Sequence, residues 1–262
     1  MGTDAEIRRI NRKGDELMQY VGSKNRISKH IAPIIESYLD DSTSVYIEPF
    51  VGGANMIDKI NFPNKVGYDS HEYLIALLTH VSNGGILPDT ISEAEYKRIR
   101  DKYRGDNLDD VEDWYVGLVG FCASFGAKWF GGFARGFKND GVTPRDIPSE
   151  AIRNIRRQAP NIEDVTFIYS DFRDIKAVNA VIYCDPPYAN TTRYRDAFPH
   201  GEFWAWVRRM SENNIILVSE YNAPSDFEVI WEMPVKSSLG SGVNKEGHQR
   251  RVERLFKLKE MI

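Results

Sequence analysis

The chain has 262 residues, of which 42% are apolar and 27% charged, and its formal net charge is −4. That composition excludes a disordered or collagen-like chain, and no run approaches the roughly 20 apolar residues of a membrane span. Cys122 and Cys184 form no CxxC pair, and the five histidines show no HExxH spacing, so neither a structural zinc nor a disulfide scaffold is expected. Residues 1–16 are charged throughout and lack the apolar core of a signal peptide, which predicts a soluble protein of the reducing cytoplasm.

Within those first 16 residues, Arg8, Arg9, Arg12 and Lys13 mix with acids and read as a tail or a solvated helix. Met18 to Lys24 is a glycine-containing turn opening onto a helix, in which Ile27, Ile31, Ile34, Ile35 and Tyr38 recur at helical spacing. Val45-Tyr46-Ile47 is a short strand that runs into Glu48-Pro49-Phe50-Val51-Gly52-Gly53. Lys65 to Asp69 reads as a second strand ending in an acid about 20 residues later, followed by a helix over Tyr73 to Leu78. Strand, glycine loop, helix, strand and acid make a βαβ unit. Residues 85–160 then break the alternation: helical patterns at 92–103, 112–122 and 148–158 surround a glycine- and aromatic-rich stretch from Phe125 to Gly141. Strands at Thr166–Tyr169, Ala180–Tyr183 and Ile215–Val218, with a helix over Phe203 to Ser211, resume it. Ser237 to Arg251, with Gly240, Gly242 and Gly247, reads as a β-hairpin loop. The expected fold is α/β: a Rossmann-like body of residues 17–84 and 161–262, with a mainly helical insert at 85–160.

Gly52 and Gly53 stand where the chain must turn sharply, and absent side chains let a ligand approach the backbone. Asp69, at the tip of the next strand, can accept hydrogen bonds from both hydroxyls of a ribose. The GxGxxG and GxxxxGK[ST] patterns are missing, which favours a nucleoside cofactor without pyrophosphate over NAD or ATP. Asp185-Pro186-Pro187-Tyr188 ends an apolar run, and its prolines stiffen the backbone without donating N–H groups. An exocyclic amine on a nucleobase is a poor nucleophile because its lone pair is delocalised into the ring. The Asp185 carboxylate and the Pro186 carbonyl can accept its hydrogens and draw it towards sp³ geometry, while Tyr188 stacks on the base. Such a device suits any planar amine.

These motifs, with Tyr20-Val21-Gly22-Ser23-Lys24 near the start and Ser170-Asp171-Phe172 after a strand, stand in the order that identifies a Dam-like DNA adenine-N6 methyltransferase of phage-borne type. The resemblance runs collinearly from Met18 to about Lys259, and implies a Rossmann-like methyltransferase sheet using S-adenosylmethionine, with S-adenosylhomocysteine as product. It implies that Tyr20 and Lys24 lie near the cofactor's methionine carboxylate, that Glu48, Phe50, Gly52 and Gly53 wrap its methionine and nucleoside, and that Asp69 holds the ribose. Asp171 and Phe172 then contact the cofactor's adenine. Asp185, Pro186, Pro187 and Tyr188 bind a target adenine flipped out of double-stranded DNA, with Asp185 also bordering the cofactor. The methyl passes directly from sulfonium to N6, without a covalent enzyme intermediate, and no metal is required.

The insert reads as the target-recognition element. Residues 121–160 hold seven basic side chains against three acids, a net +4, and residues 234–259 carry +5, in a chain that is acidic as a whole. Lys128, Arg135, Lys138 and Arg250 are the candidate DNA contacts, Arg135 because it lies on a turn between Phe133 and Phe137. The stretch Ala127-Lys128-Trp129-Phe130-Gly131-Gly132 departs from the Asn-rich loop of the best-known Dam enzymes, so the resemblance does not carry GATC specificity with it. Two other readings remain open on the residues: the same cofactor with a cytosine-N4, RNA or protein-amide acceptor, and a DNA-binding protein without turnover.

Overall fold

The computed structural model describes Met18, Tyr20 and residues 24–138, 140–187, 198–235 and 251–259. The chain divides into two compact units. One comprises Ile27–Val51, Ile60–Ser70 and Val165–Ile262, and the other Met1–Arg26, Gly52–Lys59 and His71–Asp164.

The first unit holds the sheet. Its strands are β1 (Val45–Glu48), β2 (Lys65–Asp69), β3 (Val165–Tyr169), β4 (Ala180–Cys184), β5 (Ile215–Glu220), β6 (Phe227–Val235) and β7 (Arg251–Leu258), in the order β3-β2-β1-β4-β5-β7-β6. The first five run parallel, and β7 enters antiparallel between β5 and β6. The order reverses beside β1, whose neighbours are β2 and β4. In open sheets of this kind the crevice at the carboxyl ends of the strands around that reversal is where ligands bind. Every residue of β4 is buried, as its unbroken apolar run predicts for a central strand. The outermost strand β6 tolerates both Pro234 and a register shift between Val229 and Trp231, because an edge strand has one row of groups outside the ladder.

Helix α1 (Asn25–Glu36) buries Ile27, Ile31, Ala32 and Ile35, spaced to form one face. Helix α6 (His200–Met210, numbered in chain order with the helices below) buries Phe203, Trp206, Val207 and Met210 at the same spacing, against Ile182, Cys184, Ile216 and Val218 of the sheet. Each such side chain contributes about 1.5–3 kcal/mol by leaving water.

The second unit is helical: α2 (Glu72–Ser82), α3 (Glu93–Arg104), α4 (Asp113–Cys122) and α5 (Ile147–Gln158). Ser92 caps α3 by accepting from Glu95 N at 3.1 Å, and Asp146 caps α5 by accepting from Ser149 N at 3.0 Å. Among the described residues between α4 and α5 are a short 3₁₀ turn and the isolated bridges Ser124 with Phe133 and Phe137 with Pro144. Trp129 anchors this loop, its ring 4.3 Å from His71, 4.8 Å from Phe121 and 5.5 Å from Tyr73.

Within the helical unit α2 packs closely on α4: a Cβ on Gly117 of α4 would stand 2.1 Å from the Tyr73 carbonyl of α2. No helix of the described residues is long and apolar enough to cross a membrane.

Candidate active site

Five adjacent parallel strands each deliver an acid at or just past their carboxyl ends. β1 ends on Glu48, β2 on Asp69 and β5 on Glu220, while Asp171 lies two residues beyond β3 and Asp185 one beyond β4. Glu48 and Glu220 are buried, and Asp69, Asp171 and Asp185 are half-buried. Tyr46 and Glu48 share a strand face, and the Tyr46 hydroxyl donates to Glu48 Oε1 at 2.8 Å. Burial, reinforced by the Glu48 charge, pushes that hydroxyl well above the ordinary tyrosine range, so it remains a donor.

Asp171 caps a short turn, accepting from Arg173 N at 2.9 Å. The Arg173 guanidinium also grips both carboxylate oxygens, at 2.8 and 2.9 Å, and donates to Glu202 Oε2 at 2.9 Å. Hydrogen bonding from Arg173 holds the Asp171 carboxyl below the usual aspartate range despite partial burial. The acid that the resemblance assigns to the cofactor's adenine is thus already engaged by its own neighbour. Next to it, the buried Phe172 ring lies 5.6 Å from Phe50 and 5.8 Å from both Phe198 and Phe203, and Phe50 stands 5.6 Å from Phe198. Phe198, Phe203, Tyr46 and Arg173 are additions that the motifs did not single out. A concentration of phenylalanines around the strand ends was the signal available for two of them.

At the end of β4, Pro186 is buried and Asp185 and Pro187 are half-buried. Burial, followed by the charge of Asp185, pushes the Tyr183 hydroxyl and the Cys184 thiol far above their ordinary values. Tyr183 Oη and Ser219 Oγ share a 2.8 Å hydrogen bond that fastens β4 to β5 directly below this turn. A protonated, fully buried Cys184 offers no nucleophile. Tyr188 lies outside the described residues.

In the helical unit, Tyr20 packs on the glycine pair. A Cβ on Gly52 would stand 3.0 Å from the Tyr20 ring, and one on Gly53 would stand 2.9 Å from both Tyr20 Cβ and Asn55 Nδ2. Gly52 also has φ +49°, the left-handed region that favours glycine. Tyr20 therefore fills the space into which a Cβ at either glycine would project. Asn55 Nδ2 donates to Met18 O at 3.0 Å, and Gln158 Nε2 to the carbonyls of Gly53 and Ala54, each at 3.0 Å. Lys24 is half-buried.

Among the candidate DNA contacts, Lys138 is exposed and Lys128 half-buried. Arg135 is exposed but ion-paired with Glu93 at 2.5 Å, and its guanidinium lies 5.9 Å from the Phe133 ring. Glu93 accepts Lys97 as well, at 2.9 Å. Arg145 pairs with Glu150, and Arg156 with Asp89 at 2.9 Å, so part of the basic excess is spent locally. Arg250 and residues 237–250 of the loop expected over Ser237 to Arg251 lie outside the described residues; Arg251 is the first residue of β7, which pairs antiparallel with β6. No group of three or more His, Cys, Asp or Glu suited to a metal occurs among the described residues.

By sequence the chain is similar to the Type II methyltransferase M.CviBI of Paramecium bursaria Chlorella virus NC1A, 27% identical over 58% of this chain and 62% of that protein. The chain thus spans less than two thirds of that relative's length. Among solved structures, the rRNA methyltransferase aviRa from Streptomyces viridochromogenes aligns over 88% of this chain and 83% of its own, at 10% identity and a TM-score of 0.41. That likeness is too distant to bear on the fold, which the strand order defines by itself. The model of the D12 class N6 adenine-specific DNA methyltransferases matches residues 20–204, and the chain belongs to that family.

Proposed function

We propose that the protein transfers the methyl group of S-adenosylmethionine to N6 of an adenine flipped out of a short, specific sequence in double-stranded DNA, acting in the cytoplasm of a bacterial or phage-infected cell. The observation that carries this reading is the row of acids at the carboxyl ends of β1 to β5, with the stiff Asp185-Pro186-Pro187 turn among them. A polar nucleoside with a cationic centre fits that chemistry, and the phenylalanines around Phe172 fit its rings. When bound, S-adenosylmethionine supplies an electrophilic methyl on a sulfonium.

The chain's own residues have separable tasks. Tyr20, Lys24, Gly52 and Gly53 serve the methionine end, Glu48 and Phe50 continue towards the nucleoside, and Asp69 accepts from the ribose hydroxyls. Phe172 packs against the cofactor's adenine, and Asp171 accepts from its amino group with the lone pairs that Arg173 leaves available. Asp185 and the Pro186 carbonyl accept the two hydrogens of the target amine, which localises its lone pair for attack, and Tyr188 stacks on the base. Lys128, Arg135, Lys138 and Arg250 meet the phosphates or base edges. Their contacts help offset the few kcal/mol of unpairing and unstacking that flipping costs.

Asp185→Ala tests the reading. It removes an acceptor aimed at the amine, so labelled methyl transfer to duplex DNA should fall at least about a hundredfold. Calorimetric affinity for S-adenosylhomocysteine should stay close to that of the unaltered protein. Unchanged turnover would remove Asp185 from the chemistry.

A further inference from the structure

The last residue of α5, Gln158, is a buried polar side chain, at 1% exposure. A buried amide must have its donors and acceptor matched. Here the two Nε2 hydrogens meet successive carbonyls, Gly53 O and Ala54 O, each at 3.0 Å, with Asp58 Oδ2 at 3.4 Å and Asn55 Oδ1 at 3.5 Å further out. Oε1 accepts from Met18 N at 3.4 Å. The orientation of the amide follows from this arrangement, since turning it over would set carbonyl against carbonyl.

What Gln158 grips is a strained turn. Ala54 has φ +56°, a conformation disfavoured for a residue with a Cβ, and Gly52 two positions earlier has φ +49°. Such backbone persists where its surroundings hold it. The same amide fixes Met18, two residues before Tyr20, and Tyr20 packs on Gly52 and Gly53 at the limit of contact. Gln158, together with Asn55, whose Nδ2 donates to Met18 O at 3.0 Å, therefore ties Met18 to the glycine turn.

We propose that Gln158 is a positioning residue for the cofactor: it touches no reacting atom, and it holds Tyr20 and the Gly52–Gly53 turn in the arrangement that receives the methionine end. This rests on the cofactor roles given above to Tyr20 and the glycines.

The test uses the full chain with Gln158→Leu and Gln158→Glu, titrated calorimetrically with S-adenosylhomocysteine and assayed for transfer. Each variant should weaken S-adenosylhomocysteine binding by about tenfold or more. KM for S-adenosylmethionine should rise in parallel while kcat stays within about threefold. In Gln158→Glu the defect should shrink as pH is lowered, because the protonated acid regains one donor towards Gly53 or Ala54, a response that loss of packing alone would not give. If Gln158→Leu does not fold, Gln158→Glu decides. A folded variant binding S-adenosylhomocysteine within about twofold of the unaltered protein overturns the proposal, as does unfolding of both variants, which would make the role purely structural. Failure of the unaltered protein to bind S-adenosylhomocysteine would instead sink the cofactor reading.

Discussion

Replacing Gly52 with alanine isolates the contact on which the glycine turn depends. Two costs add at this position. A Cβ at φ +49° enters the left-handed region, worth about 1–2 kcal/mol. The same Cβ stands 3.0 Å from Tyr20 Cδ1 and Cε1, tighter than ordinary contact, and overpacking of this kind costs about 1–3 kcal/mol. Gly52→Ala should therefore destabilise by about 2–5 kcal/mol. Only the second cost involves the Tyr20 ring. In a Tyr20→Ala background, the glycine substitution should cost only its backbone strain, so the two changes should couple by about 1–3 kcal/mol. Urea unfolding of the four proteins in the cycle measures this from their midpoints, provided the slopes agree. Additivity within about 0.5 kcal/mol would show that the ring does not rest on Gly52 and would refute the reasoning. Where Gly52→Ala folds, its affinity for S-adenosylhomocysteine should also fall, since Tyr20 can yield only by leaving its position.

Asp171 has a folded pKa below its unfolded value of about 3.9, so its contribution to stability is present above that pH and lost as pH falls through the lower folded value. Arg173→Gln should flatten this acid limb in urea midpoints; the pair is largely exposed, so the difference should be below about 1 kcal/mol, and an unchanged limb would count against the pairing. Glu93→Gln should release Arg135 and tighten binding to duplex DNA, whereas Arg135→Gln should weaken it and reduce the salt slope by about one; gel shifts across a salt series distinguish these outcomes, and no change in either variant would remove Arg135 from the interface. Burial pushes the Cys122 thiol up to about 12 and raises the Cys184 thiol well above its ordinary value, so neither should react with a thiol reagent until denaturant is added. One thiol titrating rapidly in the folded protein would contradict the burial.

Much of the sheet was legible because its signals are local. The apolar runs at Val45, Thr166, Ala180 and Ile215 became β1, β3, β4 and β5, and the spacing from β1 to Asp69 found β2. The helices expected at 92–103, 112–122 and 148–158 lie at Glu93–Arg104, Asp113–Cys122 and Ile147–Gln158. β6 was not read as a strand, because Pro234 and the irregularity at Val229 interrupt its alternation and its stability comes from pairing with β7. The candidate site was legible where strand ends announce it, at Glu48, Asp69 and Asp185. It was not legible where distant residues meet. Nothing in Gly52-Gly53 indicates that Tyr20, more than thirty positions earlier, packs on them, nor that Gln158 grips the carbonyls beside them. Likewise nothing in the Ser170-Asp171-Phe172 motif indicates that the turn after it brings the Arg173 guanidinium onto the Asp171 carboxylate.

The measurement that bears most directly on the account is the fate of a labelled methyl group. Duplex DNA incubated with the protein and S-adenosylmethionine labelled in its methyl group, then digested to nucleosides and resolved by mass spectrometry, should carry the label as N6-methyladenine. Asp185→Ala should abolish that signal. Label in N4-methylcytosine, in RNA or in protein, or none in DNA that the protein nevertheless binds, would contradict the proposed reaction.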